Sequence, residues 1–472
     1  MAFSSLVFVC IFMPIVFGLH SLIPSVRLRN ALLIAASLFF YAFGEPVYVF
    51  LMVLSALFNY LCALGMKGGG KKLLLVLAVA VNIGVLCVFK YAAFFTETLN
   101  RLLRLSLPVP QIALPIGISF FTFQALSYVI DVYRGLVERQ KNFARVLLYI
   151  SFFPQLIAGP IVKYKDVAAE IDSRRVDMNG AAQGLRRFVW GLGKKVLVAN
   201  TMAVAVDKIF AMNEGSVNVV LAWIAALAYV MQIYYDFSGY SDMAIGLGRM
   251  FGFHFRENFN YPYAADTIKE FWRRWHISLS SWFKDYVYIP LGGNRKGKLR
   301  TGMNKLTVFF LTGLWHGANW TFVVWGLFHG AFSFLEEAIP SIKKLPRFLL
   351  HIYTMLVVTV GFVIFRADDL GQALFFVSQM FTGFTFSKLS ASMALQVLTP
   401  FFLAMFALAV ISCGPIRPLA DRVRAMADPC AEATLSRRLA VAALNLVSLL
   451  LLVLCILRLS GGAYNPFIYF RF

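Results

Sequence analysis

Three histidines sit where an apolar chain has least reason to carry them. His316 and His329 fall in Gly313-Leu314-Trp315-His316-Gly317-Ala318-Asn319-Trp320 and Gly326-Leu327-Phe328-His329-Gly330, each one residue before the second glycine of a G-x-x-x-G. That spacing reduces one face of a helix to backbone and lets another helix come close. Imidazole, with an ordinary pKa of about 6.5, is the side chain best suited to take a proton from a hydroxyl near neutral pH. An ionisable group at membrane depth is costly, and so marks a functional site by default. His316 therefore reads as a general base and His276, the third, as an assisting residue, whereas His329 reads as structural. Asn319 would share a face with His316 if the helix ran on. There it could hold the ring or donate to a developing oxyanion. Asp242 and Asp285 are the weaker candidates for orienting a histidine.

The elements that must hold these residues are membrane helices. The 472 residues are 60% hydrophobic and 14% charged, with a mean hydropathy of +0.73, well outside the soluble range. The net charge of +21 lies in short loops between apolar runs. There it orients a membrane protein and meets anionic headgroups, so nucleic acid is not an expected partner. The six cysteines contain no C-x-x-C and read as packing residues, with no metal site. Spans are expected at 1–20, 30–44, 47–66, 73–95, 112–133, 188–211, 218–236, 348–365, 397–413 and 439–458, with 145–158 short enough to be re-entrant. The run 304–336 is too long for one span and too short for two. A broken or re-entrant pass turning near Trp315–Trp320 fits it, because non-helical backbone at that depth must be buried in protein or line a wet cavity. The expected fold is all-α and polytopic, with roughly 10–12 transmembrane helices plus re-entrant segments around a central cavity, in a single domain over 1–472. The basic loops place both termini outside the cytoplasm.

Two further segments carry charge or aromatic patterning. Around 267–285, Phe271, Trp272, Trp275, Leu279, Trp282 and Phe283 share one helical arc, away from Arg273 and Lys284. This reads as an interfacial cytosolic helix whose Arg273, Arg274 and Lys284 either guide a phosphate-bearing donor or only anchor to headgroups. The basic segment Lys163–Lys195 reads mostly as a solvated interfacial face. Lys90 either snorkels or lines a cavity. Asp236 and Asp242, in apolar surroundings, pair with Lys90, His276 or an arginine, or serve chemistry.

Trp315-His316-Gly317-Ala318 and Phe271-Trp272-Arg273-Arg274-Trp275-His276-Ile277-Ser278-Leu279 together resemble the membrane-bound O-acyltransferase family, and within it the bacterial branch that O-acetylates alginate and related polysaccharides. Phe153-Pro154-Gln155-Leu156-Ile157-Ala158-Gly159-Pro160, Tyr235-Asp236-Phe237-Ser238-Gly239-Tyr240-Ser241-Asp242 and Asp285-Tyr286-Val287-Tyr288-Ile289-Pro290-Leu291-Gly292-Gly293 extend the resemblance over most of the chain. It implies that His316 is the essential histidine. It also implies an O-acetyltransferase of the bacterial cytoplasmic membrane with no bound cofactor. Acetyl-CoA would be the cytosolic cosubstrate, an SGNH-type acetyltransferase or esterase the outer partner, and an extracytoplasmic polysaccharide the acceptor. D-alanyl transfer to teichoic acid is the variant within the family. A transporter or flippase of lipid-linked sugar is the alternative outside it, although no inverted repeat is visible. No G-x-S-x-G, P-loop, H-E-x-x-H or dinucleotide fingerprint supports another class. The tail, 460–472, is either an outer aromatic belt or more: Phe467-x-Tyr469-x-x-Phe472 resembles the terminal motif of related acylation systems. In those, the tyrosine is proposed to carry the acyl group.

Overall fold

The computed structural model describes residues 1–426, 434–462, 464–466 and 468, and all regular structure among them is helical. Tyr469, with Phe467 and Phe472 of the terminal motif and Cys430, lies outside the described residues. Among the described residues, six helices are long and apolar enough to cross a bilayer: Tyr48–Gly65, Gly68–Leu103, Met178–Phe210, Val219–Met250, Arg347–Arg366 and Arg438–Ser460. Lys388–Val397 and Pro400–Ser412, bent by 67° at a short break, make a seventh if taken as one span. The other expected spans fall on shorter helices, Phe8–Leu22, Val26–Ala42 and Ile118–Tyr133. The segment expected to be re-entrant at 145–158 is broken at Phe152 into Phe143–Ser151 and the single turn Phe153–Leu156.

The chain gathers into two compact units, and two helices, Met178–Gly193 and Val219–Met250, contribute residues to both. The first unit comprises Met1–Phe188 and Ser241–Glu257. Its helices α1 (Val26–Ala42), α2 (Tyr48–Gly65), α3 (Lys71–Leu86), α4 (Ile118–Tyr133) and α5 (Phe143–Ser151) pack with α4 against α2 and α3, and α5 against α1 and α2. Apolar side chains give helices no preference for one another over lipid, so polar contacts help fix such pairs. Asn59 on α2 and Asn82 on α3 exchange hydrogen bonds of 3.2 and 2.8 Å while buried. Lys90 is half-buried, its Nζ 3.4 Å from Ser119 Oγ on α4. The segment expected to be solvated is buried at several points: Lys163, Arg174 and Lys195 are nearly inaccessible. Arg174 donates to the Phe251 carbonyl and to Asn30. Spacing could not show this, because the partners lie far away in sequence.

The second unit comprises Val189–Tyr240 and the described residues of Asn258–Phe472. Helix α6 (Met178–Gly193) crosses into it at Val189 and continues as a π-helical segment, Lys194–Ala199, and α7 (Val219–Met250) crosses back at Ser241. The helix expected near 267–285 is not continuous. It is two short helices, α8 (Ile268–Arg274) and α9 (Ile277–Phe283), followed by a π-helical turn, Lys284–Tyr288. The break has a local cause: His276 adopts the left-handed conformation, at φ 43°, a strained choice for a residue with a Cβ that must be held from outside. Phe271, Trp275, Leu279, Trp282 and Phe283 are all buried, so the apolar arc packs into protein.

Helices α10 (Gly297–His316) and α11 (Trp320–Ala338) form a tight antiparallel hairpin, and α12 (Arg347–Arg366) packs on α11. The glycines explain the closeness. A Cβ on Gly313 would overlap the Phe322 carbonyl and sit 3.5 Å from Gly326 Cα, and one on Gly326 would overlap the Phe309 carbonyl. The turn falls at 317–319, inside the stretch singled out by sequence. A Cβ on Gly317 would overlap the Phe322 ring.

Candidate active site

His316 is the last residue of α10, placed at the hairpin's turn and only 8% exposed. Rings surround it: Trp315, Trp325 and Phe365 have centroids 5.0, 5.1 and 5.2 Å from its own. The His276 ring lies 6.5 Å away and edge-on. Two histidines 40 positions apart in sequence are thus neighbours, one at the end of α10 and the other at the break between α8 and α9. His316 opens on a narrow apolar pocket with a cavity volume of about 20 Å³, walled by Phe237, Trp275, Trp325, Phe365 and Ile468 among others.

His276 is held by a residue that the sequence did not single out. Asn258 Oδ1 accepts from His276 Nδ1 at 3.2 Å, from the Ser278 N–H at 3.2 Å and from Ser278 Oγ at 2.8 Å. The Asn258 carbonyl also accepts the Ile277 N–H at 2.9 Å. One asparagine therefore caps α9, stabilises the left-handed turn and places the proton on Nδ1. Burial, with His316 beside it, holds the His276 imidazole well below the usual histidine range. Neutral imidazole is the form that can accept a proton.

The carboxylates nominated as orienters are Asp242 and Asp285. Asp242 belongs to the first unit, where Arg187 grips it at 2.8 Å and also binds Glu257. Asp285 lies part-buried in the Lys284–Tyr288 turn, nine residues beyond His276. Asn319 does not share a helical face with His316, because α10 ends there. Its side chain caps α11 by accepting the Thr321 N–H at 3.1 Å and donates to the Asp368 carbonyl at 2.8 Å. Asn319 thus shapes the turn that presents His316. His329 is fully buried among Trp272, Trp325 and Phe328, and neither ring nitrogen has a hydrogen-bond partner among the described residues.

The basic residues proposed for a donor are partly occupied. Glu270 receives hydrogen bonds from Arg273 at 2.7 Å and from Arg274 at 2.6 Å, and these bonds hold its carboxyl below the usual range. Arg273 remains largely exposed, and Lys284 is exposed at the end of α9. Helix α8 is itself tethered by the buried Glu336 of α11, which accepts the Ile268 N–H at 2.7 Å and the Lys269 N–H at 3.3 Å. Asp236, for which Lys90, His276 or an arginine was expected, pairs instead with Lys195 at 2.7 Å. A single sequence shows neither Glu336 nor Lys195 in these roles, because each meets its partner across at least 41 positions of chain. Among the described residues no group of three His, Cys, Asp or Glu could hold a metal ion.

Two neighbouring histidines, one with its Nδ1 held by Asn258, can move a hydroxyl proton. Comparison with known proteins names the reaction class. Residues 136–367 match the membrane-bound O-acyltransferase family. Over all of its length and all of theirs, the chain is 40% identical to a probable alginate O-acetylase of Azotobacter vinelandii. It is 37% identical to a peptidoglycan O-acetyltransferase of Helicobacter pylori, over 79% of this chain and 78% of that one. To a teichoic acid D-alanyltransferase of Bacillus subtilis it is 29% identical, over 53% of this chain and 67% of that one. The chain belongs to the membrane-bound O-acyltransferase family and is a membrane enzyme that moves acyl groups onto hydroxyls.

Proposed function

We propose that the protein takes acetyl from cytosolic acetyl-CoA and delivers it for O-acetylation of an extracytoplasmic polysaccharide. The observation that carries this reading is the placement of His316: at a helix break, beside His276, on a pocket whose wall includes Ile468 of the C-terminal segment. The residue next in sequence is Tyr469, which serves as the transient carrier. A phenol with a pKa near 10 needs a base, and His316 is that base. As the Tyr469 hydroxyl oxygen attacks the thioester carbonyl, its proton passes to the imidazole, the C–O bond forms and the C–S bond breaks. The proton then goes to the departing CoA thiolate. In the second step an acceptor hydroxyl attacks the aryl ester, phenolate leaves and regains a proton, and the acetyl group has moved from sulfur to sugar. An outer SGNH-type partner performs that second transfer.

On this reading Arg273, Arg274 and Lys284 face the cytosol and draw in the donor's phosphates, His276 assists His316, and both termini lie outside the cytoplasmic membrane. Full-length identity to an alginate O-acetylase favours acetyl over D-alanyl as the acyl group. The test is purified protein with labelled acetyl-CoA, followed by mass spectrometry of the C-terminal peptide. His316→Ala should lower transfer by about 10²–10⁴-fold, the usual worth of a general base, while leaving the protein in the membrane. Near-normal turnover in that variant would dispose of the assignment, and full polysaccharide acetylation by Tyr469→Phe would dispose of the carrier.

A further inference from the structure

A buried ion pair of the second unit has valences that its two members cannot satisfy between themselves. Lys195 Nζ and Asp236 Oδ1 are 2.7 Å apart, with side chains only 3% and 2% exposed. Burying both charges is expensive, and their mutual attraction offsets it only when the remaining protons and lone pairs also find partners. Lysine has three donors, and the carboxylate has a second oxygen. Both turn to the C-terminal segment: Lys195 Nζ donates to the Pro466 carbonyl, and Asp236 Oδ2 accepts the Ile468 N–H at 2.9 Å.

Neighbouring contacts extend the grip. Asn200 Nδ2 donates to Asn465 Oδ1 at 3.0 Å, and the Tyr464 hydroxyl donates to Asp207 Oδ2 at 2.9 Å. Asp207 is in turn fixed by Arg366 at 2.6 Å. Close packing brings Lys195 beside Asp236. A Cβ on Gly239 would lie 2.7 Å from the Gly191 carbonyl oxygen and 3.2 Å from the Lys195 nitrogen, so only glycine lets these elements meet. The Ile468 side chain, 4% exposed, then forms part of the wall of the His316 pocket. A simple aromatic anchor at the interface would need none of this, since headgroups and water satisfy it.

We propose that Lys195 and Asp236 are a latch for the chain's own C-terminal segment, seating it against the pocket that His316 lines. They are positioning residues, and the inference rests on the carrier reading above, for which the latch supplies the means of presenting the tail. The pair's polarity matters as well as its charge. Lysine must face a carbonyl and aspartate an N–H, so an exchanged pair would set donor against donor and acceptor against acceptor.

The experiment places a cysteine at the tail, as Ile468→Cys in a chain whose native cysteines are replaced by alanine. The rate of maleimide labelling is followed in detergent, beside acetylation of the terminal peptide. Labelling of a locally opened segment reports its opening equilibrium. Loss of one hydrogen bond to a charged group should speed it by about tenfold or more. That increase is expected for Asp236→Asn and for the exchange Lys195→Asp with Asp236→Lys, with terminal acetylation falling in parallel. Tyr464→Phe with Asn465→Ala loosens the tail from its own side and decides the matter if the core variants fail to reach the membrane. Labelling at the parent rate in a membrane-inserted exchange variant, or in the tail-side variant when only that is available, would overturn the latch. Fast labelling together with full polysaccharide acetylation by Tyr469→Phe would keep the latch and remove the carrier.

Discussion

Asn258→Ala is the substitution whose consequences can be worked through most fully. It removes one acceptor that serves three donors, His276 Nδ1, the Ser278 N–H and Ser278 Oγ, all buried. A buried donor left without a partner costs roughly 1–3 kcal/mol. The Ser278 hydroxyl can rotate and the Ile277 N–H keeps the Asn258 carbonyl, so the expected loss of stability is about 2–6 kcal/mol for the ring and one N–H together. The catalytic effect should exceed what stability alone explains. With its tautomer and rotamer released, His276 no longer addresses His316 from a fixed position, and misplacement by about 1 Å costs on the order of 10²-fold in rate. Asn258→Asp separates orientation from folding. It keeps the acceptor, so most activity should survive, but its carboxylate favours the imidazolium. Since burial depresses the His276 pKa, the added charge should move it back up and shift the acidic limb of the pH–rate profile to higher pH. Acetyl transfer by purified protein between pH 5 and 8, with apparent unfolding temperature in the same detergent, supplies both readouts. Wild-type rate and unshifted profiles in both variants would refute the assigned role.

Gly313→Ala places a methyl group against the Phe322 carbonyl. It should cost roughly 1–3 kcal/mol of overpacking strain and lower transfer by displacing His316, whereas Gly84→Ala, which meets nothing within 4 Å, should leave both unchanged; equal behaviour of the two variants in thermal unfolding and acetyl transfer would count against the close hairpin. Reversing Arg273 and Arg274 to glutamate should raise the apparent KM for acetyl-CoA, more at low ionic strength than at high, because attraction beyond the Debye length of about 10 Å at 0.1 M is screened. An apparent KM that does not change with salt in that variant would mean that the helix only anchors.

What the sequence showed and what it hid divide along one physical line. Helix-forming apolar runs, the G-x-x-x-G approach and the break after His316 are local patterns, written within a few residues of where they act. They led to the hairpin and to the histidine at its turn. The expectation of one interfacial helix at 267–285 failed for a reason that is also instructive. A helical wheel correctly gathered Phe271, Trp275, Leu279 and Trp282 on a buried arc, but no wheel can show a single left-handed residue, at His276, that folds the arc into two short helices. That conformation depends on Asn258, 18 positions earlier. Lys195 closes a segment, Lys163–Lys195, whose many basic and few acidic residues read mostly as a solvated face. Its true environment is Asp236, 41 positions on, and Pro466, 271 positions on. Buried polar groups in a membrane protein must be compensated, yet the requirement names no partner. Local spacing therefore points to the histidine at the hairpin's turn, while the residues that fix the site's geometry become visible only when distant segments are folded together.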